Sequence, residues 1–356
     1  MQDANSTYAA ESGSLPRHAL SAADRTVPLT DAFSDRAQAL RGLACLLLVA
    51  FHVIVDNSVK GMDDVGTSAF VSAARVFAPI RMPLFMFLAG FVYAYRPVSS
   101  GTHRTFVRKK LWRLFVPFMF VSTLFFLFQY VAGEPLALRD IWRSYVFTYA
   151  HFWFMQSLMI ILLLVVVLER GRALGDVSRF ATVFSVALLA HFFILFDVNV
   201  FSINQALYLL PFFLLGLGAN RFRQAISSNR FKIAVATVFG VCMLFHVLAC
   251  FHLYGPTLGP RAPLWTAISI TGTLLLLWWM PSPRWLQALG AFSFAIYLHH
   301  VFFTMGARFM LAELGVTTGR LAYFLTALAF GILGPILLER TIARYGLARR
   351  LLLGRA

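Results

Sequence analysis

Charge is what this chain has least of. Only 13% of its 356 residues are charged, and acidic residues number 15 against 31 lysines and arginines. Every Asp and Glu falls in a tail, a loop or the end of an apolar run, so proton-coupled carriage along a relay of intramembrane carboxylates lacks its usual groups. Cysteine is equally scarce. Cys45, Cys242 and Cys250 lie in apolar runs without metal-ligand spacing, which reads as small buried thiols and implies no disulfide framework. No phosphate-cradling glycine loop and no His-Glu-x-x-His pair occurs, so neither nucleotide hydrolysis nor a helical zinc site is indicated. Repeats of solenoid period and any inserted polar domain are missing as well.

What fills the sequence is hydrocarbon. Hydrophobic residues make up 59% of the chain and mean hydropathy is +0.73. Crossing a bilayer core of ~30 Å takes about twenty apolar residues as a helix. Ten such runs are expected, near residues 37–55, 70–95, 111–131, 152–168, 180–196, 204–219, 233–251, 264–280, 289–309 and 321–338. The sixth is the weakest, being short and holding Pro211, Gly216 and Gly218. Backbone groups in hydrocarbon must bond to one another, and continuous runs do so as helices. The expected class is therefore all-α, a polytopic membrane helical bundle.

The net charge of +16 belongs mostly to connections and bears on topology rather than on nucleic acid, for which no role is expected. Lys and Arg concentrate in the loops after the second, fourth and sixth runs, which predicts both termini on the cytoplasmic side. Residues 1–32 are polar and lack apolar periodicity, as in a disordered tail. They also lack the layout of a cleavable signal peptide, so the first run is expected to stay as an anchor. Asp31, Ser34 and Asp35 offer caps for its start. Residues 33–345 form the membrane domain, and the basic stretch 346–356 is expected to lie on the inner surface.

Residues 35–57, DRAQALRGLACLLLVAFHVIVDN, carry the densest chemistry. Arg41 and His52 are eleven steps apart, close to three helical turns and a rise of roughly 16 Å. One stripe thus bears a cation at one depth and a proton-transfer group at another. Asp56, four residues beyond His52, stands where it would orient the imidazole.

RGLACLLLVAFH at 41–52 resembles the Arg, ten residues, His signature of the acyltransferase 3 family of integral membrane O-acyltransferases, and Arg36 matches an Arg that precedes it. RMPLFMFLAGF at 81–91 resembles the MPLFFFLSGF segment of the fucose 4-O-acetylase-like branch. FVRKKLWRLFVP at 106–117, HFWFMQSL at 151–158 and FSFAIYLHH at 292–300 continue the likeness in order. Arg81, Lys110 and Ala89 stand where the family pattern usually has His, Arg and Ser.

The resemblance implies transfer of an acyl group, above all acetyl, from acyl-CoA to a hydroxyl of a carbohydrate or lipid-linked saccharide, in the inner membrane and without a metal. His52 would be the catalytic base with Asp56 as its orienting group, or the site of an acyl-histidine. Arg36, Arg41, Arg108, Lys110 and Arg113 would hold the donor, although a cluster that includes Arg104 and Lys109 also suits anionic lipid. Arg81, His151, Trp153, Tyr297 and His300 would line the acceptor side. A secondary transporter or flippase is the competing reading, because segments interrupted like 211–218 can mark discontinuous helices. A scaffold role is the third. The oligomeric state, homo-oligomer or monomer, and the side of the membrane on which transfer occurs stay open.

Overall fold

The computed structural model describes residues 31–55, 69–95, 97–98, 101–314 and 320–355. The tail through residue 30 and Asp56 lie outside them. Thirteen α-helices make up the described fold: α1 (Asp31–Val55), α2 (Ala69–Tyr93), α3 (His103–Val131), α4 (Arg143–Val146), α5 (Trp153–Arg170), α6 (Val177–Phe193), α7 (Ile203–Arg221), α8 (Asn229–Cys250), α9 (Pro263–Trp279), α10 (Arg284–Ala291), α11 (Ser293–Glu313), α12 (Arg320–Ile342) and α13 (Gly346–Leu353). No strand occurs among the described residues, only an isolated bridge between Phe147 and Val200. The chain is an all-α, multi-pass membrane bundle.

Eight of these helices are long and apolar enough to cross a membrane. The two remaining expected spans form α6 and α9, each 17 residues long. The expected start of the ninth span at 289 is corrected, because the chain breaks at Phe292 and the long helix, α11, begins at Ser293. Ser34 and Asp35 lie inside α1 rather than capping it. Burial separates centre from rim: two thirds of the apolar window is enclosed in α2, α7 and α11, against 22% in α8 and 28% in α12. The latter two carry exposed Val241, Leu244, Leu333 and Leu337, side chains suited to lipid.

Lipid tails are as apolar as the helices, so association has to come from close packing and from polar contacts. Glycine supplies the first. Gly90 of α2 and Gly216 of α7 lie against each other's helices, and a Cβ on either would collide with the backbone carbonyl of Phe213 or Phe87. Gly42 of α1 and Gly290 of α10 repeat the arrangement against Leu286 and Gln38. The segment 211–218 thus lies inside one continuous helix, α7, with Pro211 in its interior. The discontinuous-helix expectation is corrected here, since the glycines serve contact and not interruption.

Polar side chains supply the second, at backbone groups left open. A proline inside a helix frees the carbonyl four residues before it. Pro79 and Pro83 of α2 free the carbonyls of Arg75 and Pro79, and these accept from His246 Nε2 at 3.1 Å and Ser269 Oγ at 2.6 Å. Helix C-termini leave carbonyls open too. Arginines reach them: Arg36 donates to Leu277 and Trp278 at the end of α9, Arg261 to His191 and Ile194 at the end of α6, and Arg308 to His52 and Val53 at the end of α1. Each bond sets one helix against another where the hydrophobic effect gives little preference.

The C-terminal stretch folds as α13 and packs on α3 and α12. Leu353 is buried. Arg355 pairs with the buried carboxylate of Glu339 at 2.6 Å, and Gly354 sits on the carbonyl of Arg113 that Pro117 leaves without a helical partner.

Candidate active site

Three imidazoles from three elements meet at the end of α1. His52 comes from the last turn of α1, His151 from the 3-10 turn Ala150–Phe152 and His300 from α11. Ring centroids are 4.8 Å apart for His52 and His300, 5.0 Å for His151 and His300, and 6.3 Å for His52 and His151. Among the described residues no three His, Cys, Asp or Glu side chains are grouped to hold a metal ion.

Their hydrogen bonds assign the nitrogens. A carbonyl only accepts, so a ring nitrogen bonded to one must carry hydrogen. His52 Nδ1 donates to Leu48 O at 2.9 Å, one turn back on α1. Its Nε2 is thereby the nitrogen with the lone pair. Sequence reasoning gave the orienting task to Asp56, which lies outside the described residues; among those described, the backbone carbonyl of Leu48 holds Nδ1. His300 Nδ1 donates in the same way to Ile296 and Tyr297 at 3.0 and 2.8 Å. His151 uses the other nitrogen: Nε2 donates to Leu298 O at 3.3 Å, and Nδ1 is buried without a bond.

His151 needs more support, because it stands on a loop. Ala150 before it has φ of +41°, a left-handed conformation that a residue with a Cβ keeps only under restraint. Gln156, wholly buried, provides that restraint. It donates to the carbonyls of Tyr145 and Phe147 and accepts from Ser202 Oγ, tying the segment before His151 to the one before α7. Tyr297 donates its hydroxyl to the carbonyl of His151, and its ring packs 5.8 Å from the imidazole.

Arg81 of α2 lies beside this cluster. Its guanidinium stacks on the Phe51 ring at 3.3 Å, Phe51 in turn contacts His52 at 5.7 Å, and His52 is within electrostatic reach. Arg308 holds the cluster from behind, its Nη2 donating to the carbonyls of His52 and Val53 at 3.0 and 2.9 Å. Arg308 is not among the candidates the sequence offered, although an arginine inside an apolar run of helix length was an available signal.

The remaining expected acceptor residue, Trp153, stands apart from the three rings and packs edge-on to Phe154. His191 bonds Tyr208 O and Thr266 Oγ1, and His246 serves α2, so both bridge helices elsewhere.

Basic residues gather towards the other end of α1. Arg108, Lys109, Trp112 and Arg113 of α3, with Gly354 and Arg355, line a recess of about 680 Å³. Arg41 is half-buried, contacts Gln38 Oε1 at 3.5 Å and lies within electrostatic reach of Arg113. Neither guanidinium has an acidic partner among the described residues. Lys110 does not line the recess and packs 5.7 Å over Phe106. Arg36 is engaged at the end of α9.

Comparison with curated proteins and with solved structures returned no match. A family model does match: residues 35–340 fit Acyl_transf_3, described as an acyltransferase domain, from the helix that bears Arg41 and His52 through nearly all of α12. With that match over most of its length, the chain belongs to the acyltransferase 3 family and is a membrane acyltransferase.

Proposed function

We propose that the protein is an O-acyltransferase that takes an acetyl or related acyl group from acyl-CoA and passes it to a hydroxyl of a carbohydrate or lipid-linked saccharide. It does so in the cytoplasmic membrane, with both chain ends in the cytoplasm. One observation carries this reading: α1 bears a half-buried guanidinium, Arg41, facing the basic start of α3, and three turns later an imidazole whose Nδ1 is tied to Leu48 O. A long donor with phosphates at one end and a thioester at the other suits that pair.

The phosphates fit the recess lined by Arg108, Arg113 and Arg355, because guanidinium forks match phosphate oxygens. Arg41 continues the cationic path into the bundle. His52 Nε2 takes the proton of the acceptor hydroxyl as its oxygen attacks the thioester carbon; the carbon-sulfur bond then breaks with its electron pair on sulfur, and the CoA thiolate takes up that proton from His52 to leave as the thiol. His151 and His300 enclose the site, and Tyr297 holds His151.

Mass spectrometry of cell-surface glycans from cells with the intact gene, a deletion and a His52→Ala replacement tests the reading. Loss of one acyl mass, 42 Da for acetyl by ordinary stoichiometry, in both altered strains is the expected result. Identical glycans in all three would end it. Counterflow of a sugar without acyl donor would favour the transporter instead.

A further inference from the structure

Arg81 is a cation in search of an anion. Its Nε and Nη1 are buried and have no hydrogen-bond partner, and it forms no ion pair with any described carboxylate. Tyr208 is within electrostatic reach but is a phenol and not a carboxylate. A guanidinium enclosed in a membrane protein with donors unused is costly, and such groups mark functional sites. Stacking on Phe51 takes up only the face of the planar group. The in-plane N–H groups point elsewhere and stay available.

Acyl transfer needs such donors at this place. When a hydroxyl oxygen attacks a thioester, the carbon-oxygen bond forms as the carbonyl π electrons move onto oxygen. The tetrahedral intermediate then carries a full negative charge one bond from the reacting carbon. Preorganised donors aimed at that oxygen usually contribute most to the acceleration of such reactions. Phe51 lies against both the Arg81 guanidinium and the His52 ring, and Arg81 is within electrostatic reach of His52, so cation and base border the same place.

We infer that Arg81 is a catalytic residue and supplies the oxyanion site of the reaction: its N–H groups bind the carbonyl oxygen of the thioester as it becomes negative, while His52 removes the proton of the attacking oxygen. The intermediate collapses by returning the electron pair to the carbonyl, and the carbon-sulfur bond breaks to release CoA thiolate. Arg81 keeps its proton throughout. This rests on the acyl-CoA reading above and goes beyond acceptor binding, the role the sequence suggested for Arg81.

The test uses purified full-length protein in lipid nanodiscs with acetyl-CoA, and water as acceptor. Thiol release gives turnover, and equilibrium dialysis with labelled acetyl-CoA gives donor affinity. Arg81→Met is expected to lower turnover about 100-fold with donor Kd within about twofold of the parent. Arg81→Lys, which keeps charge but loses the fork, is expected to recover part of the loss and also serves if the Met variant does not fold. Normal hydrolysis by either folded variant would overturn the inference and return Arg81 to acceptor binding. A large rise in donor Kd with unchanged turnover at saturation would overturn it too. If the parent releases thiol no faster than its His52→Ala variant, it is the acyl-CoA reading that fails, a result separable from the behaviour of Arg81.

Discussion

Arg308 of α11 donates to the carbonyl of His52 on α1, so the helix that carries His300 also anchors the end of the helix that carries His52. The last carbonyls of a helix have no partner inside it and bear the negative end of its dipole. A buried arginine answers both at once. It keeps two imidazoles from different helices at a contact distance that neither helix would impose alone.

Arg308→Leu should lower the thermal stability of the detergent-solubilised protein, because hydrogen bonds from a charged group contribute about 2 kcal/mol each when buried. It should also reduce turnover, since the end of α1 is freed. Arg308→Lys should recover much of the stability. A melting temperature and turnover equal to the parent's for Arg308→Leu would show that the anchor is dispensable.

His52→Ala should abolish measurable transfer, a loss of about 10²–10⁴-fold by the usual contribution of a positioned base. Donor binding should be retained, since the basic recess lies towards the far end of α1. Leu48 contributes only its backbone carbonyl to His52, so Leu48→Ile should keep activity within about threefold at the same site. Transfer surviving in His52→Ala, followed by acyl mass in membrane extracts, removes His52 from the chemistry.

Arg41→Gln and Arg113→Gln should each weaken acetyl-CoA binding about tenfold in dialysis, as loss of a charge-assisted bond to phosphate does. The affinity lost should be the salt-dependent part. Arg36→Gln should leave donor affinity unchanged and lower stability, because its guanidinium is engaged with the α9 carbonyls of Leu277 and Trp278. Equal weakening by all three would place Arg36 in the donor site after all.

Gly90→Val and Gly216→Val should each disrupt the contact between α2 and α7, where a new Cβ meets a backbone carbonyl that cannot step aside. Overpacking at such a point costs about 1–3 kcal/mol or more. The readout is the fraction of monodisperse protein after solubilisation, compared with Gly240→Val. Gly240 has open space around it and should tolerate the change.

Composition and run length determined the membrane class, the all-α fold and the approximate position of every long helix, because the demand for about twenty apolar residues and for internal backbone bonding is local and admits one answer. The eleven-residue interval between Arg41 and His52 likewise followed from helical geometry alone. Tertiary structure decided what each polar group is for. Arg36, Arg261 and Arg308 look alike in sequence to Arg41 and Arg113, yet the first three are spent on helix ends and the last two are not. Which carbonyls stand open depends on where other helices stop. The same holds for the histidines: His191 and His246 bridge helices while His52, His151 and His300 share a site, since that meeting joins residues up to 248 positions apart in the chain. Sequence spacing reports the face of one helix. Only packing decides what that face meets.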